Sequence, residues 1–115
     1  MDYRLLNLGP ASSVVTDISI DKWCSEVTVS CLYDPSISKR PYELLFKECR
    51  GVSWELIEEE NLDEVCAELI GLNLGLEKYE EAASITTDIF EMLITYGTAY
   101  LAIEDRVVHL NKEIP

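Results

Sequence analysis

Along residues 42–57, YELLFKECRGVSWELI, large apolar side chains fall at every second position on both sides of a break at Arg50 and Gly51. Tyr42, Leu44 and Phe46 alternate with Glu43, Leu45 and Lys47, and Val52, Trp54 and Leu56 resume the alternation against Ser53 and Glu55. A period of two places each set on one face of a pleated strand. Gly51 is able to take the positive φ of a tight turn or bulge. The stretch therefore predicts a strand, a turn and a second strand paired with the first, with the aromatic face in the core.

The rest of the chain repeats this pattern in shorter pieces. Residues 3–8, YRLLNL, closed by Gly9-Pro10, read as an edge strand. Residues 14–21 set Val14, Thr16, Ile18 and Ile20 against Val15, Asp17, Ser19 and Asp21, a half-buried strand that Asp21-Lys22 would turn. Residues 25–33 alternate Val27, Val29, Cys31 and Tyr33 with polar neighbours and are rich in β-branched side chains. The loop 34–41, DPSISKRP, joins that strand to the Tyr42 strand; its prolines at 35 and 41 do not suit a central ladder.

Beyond the break the pattern is less uniform. Asn61 and Glu64 have the spacing of a capping box, and Leu62, Val65, Cys66, Leu69 and Ile70 recur at helical spacing, which predicts a short helical segment near 61–68. Residues 69–76, LIGLNLGL, read as a strand bent by glycines, and 77–81, EKYEE, as a polar connection. Residues 82–96 fit two patterns. Tyr79, Ala83, Phe90, Leu93 and Ile94 share a helical face, whereas Ile85, Thr86, Thr87, Ile89, Ile94 and Thr95 favour a strand, taken here over 87–96. Gly97-Thr98 then turns the chain into a last strand over 99–110, with a turn or bulge at Asp105-Arg106. The fold class is mainly β, one domain of antiparallel strands forming a sandwich or an open barrel-like sheet; the alternative is α+β with a helix at 78–96.

Composition narrows the class. A chain of 115 residues makes a single domain over 1–115, and 48% hydrophobic content separates it from disordered acidic tails. No apolar run reaches about 18 residues, and MDYRLLNLGP lacks a charged region followed by an apolar one, so a cytoplasmic location is expected. Cysteines at 24, 31, 49 and 66 follow neither a zinc nor a redox spacing and read as reduced, mostly buried thiols.

Charge is the least ordinary property, and its placement says more than its total of −13. Residues 1–50 hold seven acids and six bases; residues 51–105 hold fourteen acids and one base, Lys78. A field of this sign repels phosphate backbones and speeds encounter with a basic protein. The densest acids follow Trp54, and Glu55, Glu58, Glu59, Glu60, Asp63 and Glu64 are the candidate partner-binding residues.

Catalytic and cofactor motifs are missing. His109, the single histidine, lies in the strand-like run VVHL, and there is no GxSxG elbow. Gly71 and Gly75 form no phosphate-binding fingerprint, and EEENLDE is not a calcium loop. No catalytic residue, metal or cofactor is therefore expected.

VVTDISID at 14–21, a second alternating strand and then YELLFKECRGVSWEL at 42–56 form a layout that resembles small, mostly uncharacterised bacterial all-β domains of the immunity-protein-like kind. The resemblance implies a non-catalytic domain that binds another protein. The charge distribution leads independently to a basic partner. Two other functions fit the composition: a small-ligand-binding β domain with an apolar cavity lined by Tyr42, Phe46, Trp54 and Tyr96, and a self-associating structural protein pairing an edge such as 3–8 across a two-fold axis to give a homodimer.

Overall fold

The alternating runs at 25–33 and 42–47 lie inside one layer, each with a strand on both sides. The computed structural model describes residues 12–57, 67–73 and 82–110. The described strands are β1 (Ser13–Asp21), β2 (Glu26–Tyr33), β3 (Arg40–Lys47), β4 (Gly51–Leu56), β5 (Ala67–Asn73), β6 (Ala83–Thr87), β7 (Phe90–Thr95), β8 (Thr98–Ile103) and β9 (Arg106–His109). They form a single antiparallel sheet in the order β4-β7-β6-β5-β1-β2-β3-β8-β9. Among the described residues, the ladder joins its two halves where Val14 and Val15 of β1 pair with Glu68 and Ala67 of β5. The sheet folds there into a first layer (β1, β2, β3, β8, β9) and a second (β4 to β7), and it stays open, with β4 and β9 at its two edges.

Alternation decides what each layer buries. Val27, Val29, Cys31 and Tyr33 of β2, Tyr42, Leu44 and Phe46 of β3, and Ala99, Leu101 and Ile103 of β8 turn inward from the first layer. Leu69 and Leu72, Ala83 and Ile85, and Phe90, Met92 and Ile94 answer from the second, and together they make one core. The predicted parity of β1 holds only in part. A bulge at Thr16 shifts the register, so that Val15 and Ile18 both face inward, opposite Cys31 and Val29. The hydroxyl of Thr16 donates to Ser30 O at 3.2 Å at this irregularity.

Residues 42–57 form a strand, a bend and a strand, but the two strands do not pair with each other. β3 is flanked on both sides by β2 and β8, while β4 pairs with β7. With both edges of β3 taken, the chain crosses to the other layer instead of reversing. Glu48, not Gly51, adopts the left-handed conformation, at φ 56°. The return crossing runs alongside: Gly97 N–H donates to Lys47 O at 3.0 Å and Arg50 N–H to Thr95 O at 2.8 Å. β3–β4 and β7–β8 are thus two strands of one ribbon bent across the layers. A Cβ on Gly97 would lie 2.9 Å from the Cβ of Glu48, so the close approach needs glycine there.

Residues 82–96 contain two strands and no helix, which removes the α+β alternative. The β-branched side chains prevail, and burial alternates along β6 and β7 with period two. The single strand expected over 87–96 is broken by a turn at Asp88-Ile89. Pro41 lies inside β3 opposite Leu32, one residue before the pairing with β8 begins at Tyr42, so its missing N–H falls outside that second ladder. The helical segment expected near 61–68 lies outside the described residues except for Ala67 and Glu68, which are already strand. The expected strand at 3–8 and connection at 77–81 lie outside them as well.

Candidate functional site

The step in charge along the sequence coincides with the crossing between layers. Among the described residues, the second layer and its turns carry Glu55, Glu68, Asp88 and Glu91 and no lysine or arginine. The described bases Lys22, Lys39, Arg40, Lys47 and Arg106 belong to the first layer and its loops, and Arg50 stands at the crossing. Two of the first-layer bases are already partnered, Lys22 with Glu26 and Arg40 with Glu104, each at 3.0 Å. Of the second-layer acids, Asp88 is committed locally: its carboxylate accepts the Glu68 N–H at 2.8 Å and its own N–H donates to Glu68 O at 3.2 Å.

Glu55 and Glu91 are placed differently. They lie directly opposite each other on β4 and β7, on the outward face of the layer. Like charges in direct cross-strand register are unfavourable unless a cation sits near both. On the other face of β4, Val52 packs against the core, but Trp54 and Leu56 do not follow it in. Trp54 is 50% exposed and Leu56 52%. Trp54 touches only the margin of the core, with its ring 5.5 Å from that of Phe90. The expectation that all aromatics of the stretch are core therefore fails at Trp54, because β4 is an edge strand and no other described strand lies on its far side.

Of the six acids expected to bind a partner, Glu55 is exposed on this edge; Glu58, Glu59, Glu60, Asp63 and Glu64 lie outside the described residues. Of the four side chains expected to line a cavity, Phe46 is buried in the core and Trp54 is half exposed. Phe46 and Tyr96 pack edge to face at 5.2 Å, and Trp54 is at the margin. A groove of about 350 Å³ does open on the first layer, lined by Thr16, Ser30, Pro41, Glu43 and Glu104 among others, and Tyr42 alone of the four reaches it.

One exposed feature has no counterpart in the hydrophobic pattern of the chain. The β1–β2 turn holds Lys22, Trp23 and Cys24 in succession at φ 52°, 60° and 76°, and the Trp23 side chain projects wholly into solvent. Three consecutive left-handed residues without glycine leave no composition signal to read. Hydrogen bonds from Cys24 N–H to Asp21 O and from Ser25 N–H to Lys22 O, both 3.1 Å, hold the turn.

Among the described residues no cluster of His, Cys, Asp and Glu has a metal-binding arrangement. His109 is half-buried against Tyr100, ring centroids 4.8 Å apart. Cys24, Cys31 and Cys49 are free thiols. Burial pushes Cys31 from 9.0 up to about 12, and burial followed by the nearness of Cys24 pushes Cys49 up to about 11. An acid whose pKa is raised by folding stabilises the fold fully below its unfolded pKa and loses that contribution as pH climbs to the folded value. Urea titrations between pH 8 and 11 should therefore show stability falling above pH 9, less steeply in Cys31→Ala, by about 1.4 kcal/mol per pH unit. Equal slopes in the two proteins would contradict the buried, protonated thiol.

No helix among the described residues is long and apolar enough to cross a membrane. Compared with known proteins, the chain matches no family model, no curated protein and no solved structure, which leaves the geometry of the second layer and its open edge as the basis for a functional reading.

Proposed function

We propose that this chain is a non-catalytic protein-interaction module, immunity-like or inhibitor-like, that captures a basic protein partner with its second layer. The observation that carries the reading is the partition of charge: the described second layer has four acids and no base, and two of those acids stand side by side next to a half-exposed tryptophan. Acidic residues at the rim of an interface raise the rate of encounter with a basic surface, and exposed aromatic groups supply the contact area that holds it. The acids that follow in sequence, Glu58, Glu59, Glu60, Asp63 and Glu64, carry charge of the same sign.

The test starts from a partner recovered from the source cell with the tagged chain. Its association rate constant should fall about tenfold or more between about 50 and 300 mM salt. Glu55→Lys together with Glu91→Lys should slow association about threefold or more, and lysines at Glu58, Glu59, Glu60, Asp63 and Glu64 further still. Glu43→Lys, the same reversal on the first layer, should leave the rate within about twofold. Recovery of no partner, or a rate indifferent to salt and to these substitutions, sinks the reading.

A small-ligand function has one observation in its favour, the 350 Å³ groove on the first layer. The groove is open and rimmed by Glu43 and Glu104, unlike the enclosed apolar cavity that such a function calls for. It shares one residue, Tyr42, with the lining expected from the sequence.

A further inference from the structure

We infer that the partner is held by strand addition at β4: an extended segment with the pattern apolar, basic, apolar, polar, apolar pairs antiparallel with residues 52–56. This rests on the interaction-module reading and specifies how the contact is made. Ile57 N–H bonds to Ile89 O at 2.7 Å, and the register continues through Glu55↔Glu91 and Ser53↔Leu93. In an antiparallel ladder, pairs that exchange hydrogen bonds alternate with pairs that do not. The odd-numbered residues of β4 thus spend their peptide groups on β7, and Val52, Trp54 and Leu56 point theirs out of the open edge. Residues 53–57 are all exposed, and no other described strand pairs with the outer edge of β4.

Side chains specify the occupant. Residues of an added strand that bond to Val52, Trp54 and Leu56 share their face, where Trp54 and Leu56 are half exposed and offer apolar surface. The residue opposite Glu55 shares the outward face, where Glu55 and Glu91 stand together, and a lysine or arginine there relieves the like-charge contact. A second copy of this chain fits poorly, because its own β4 would bring another Glu55 and a net charge of −13 to the same edge. The opposite edge, β9, is less suited: it has four residues, and Arg106 at its start has the wrong sign for a basic segment.

The probe is a blocked peptide, valine-arginine-valine-threonine-valine flanked by lysines, titrated into the Trp23→Phe protein. Trp54 is then the single tryptophan, and its emission should shift to the blue on binding. Methylating the valine amides, which face β4, should weaken binding about tenfold or more, while methylating the arginine and threonine amides should change it less than about twofold. Glu55→Lys should weaken it about tenfold. If the peptide binds but both methylated forms and a scrambled peptide of equal charge bind as well, strand addition is overturned while capture of a basic partner stands. No binding of the peptide also overturns it, whereas the capture reading is judged separately by the salt dependence of its partner. A stable dimer by light scattering that Trp54→Lys dissociates overturns it in favour of a second copy.

Discussion

Phe46→Ala is expected to lower the free energy of unfolding by about 3–5 kcal/mol, measured as a fall in the urea midpoint at unchanged slope. Phe46 is 1% exposed, and its cross-strand neighbours are Val27 on β2 and Ala99 on β8. Both are small, so neither is able to fill the space the ring leaves, and the cavity persists. The edge-to-face contact with Tyr96 is lost as well, and with it the main aromatic contact between the first layer and the crossing back from the second. A domain of this size has only about 5–15 kcal/mol in hand, so the variant will be close to its limit at 37 °C. Trp54→Ala, from the same alternating stretch, should cost about 1 kcal/mol or less, because half of the side chain is already in water. Equal losses at the two positions would contradict the assignment of β4 to an open edge.

The second large effect is expected at a hydroxyl. Thr87 ends β6, is 1% exposed, and its Oγ1 accepts from Ile89 N–H at 3.1 Å and Phe90 N–H at 3.0 Å while donating to Phe90 O at 3.0 Å. One side chain thus satisfies three backbone groups of the turn that leads into β7. Thr87→Val keeps the shape and removes the partner, leaving buried peptide groups unpaired; a loss of about 2–4 kcal/mol is expected by thermal or urea unfolding. Thr87→Ser retains the oxygen and should lose about 1 kcal/mol, the worth of the missing methyl. If valine is tolerated as well as serine, the hydroxyl is not holding this turn. Amide exchange at Ile89 and Phe90 gives a second readout, since both should lose protection in the valine variant and keep it in the serine one.

These positions also mark how much of the molecule is legible in the chain. The strands at 25–33 and 42–47 are readable because their buried side chains alternate throughout, and a face buried against one core requires that period; 14–21 is readable as a strand but not in its parity past Thr16. The turn at Asp88-Ile89 was not: it lies in ITTDIF, where β-branched side chains on both sides make one continuous strand signal, and Ile89 is itself buried. Its cue is a threonine hydroxyl closing on the backbone two and three residues ahead, a local device that a hydrophobicity pattern does not register. The bulge at Thr16 was hidden for the same reason, since one inserted residue reverses the parity of every later position without changing composition. On the functional side, Glu55 was legible as a charge, but its position opposite Glu91 depends on a pairing between segments thirty-six residues apart.

The sequence by itself determined that this is a β protein with a neutral first half and an acidic second half, because side-chain period and charge are local properties written residue by residue. Only the tertiary structure decided what Arg50-Gly51 means. From the chain it reads as the turn of a hairpin; in the fold both sides of β3 are occupied, so the chain bends at Glu48 and passes to the other layer. The same alternation that buries Tyr42, Leu44 and Phe46 then carries Trp54 and Leu56 to an edge beside which no further described strand lies. An apolar face becomes core only where something is packed against it, and that depends on strand order, which is a non-local outcome of pairing.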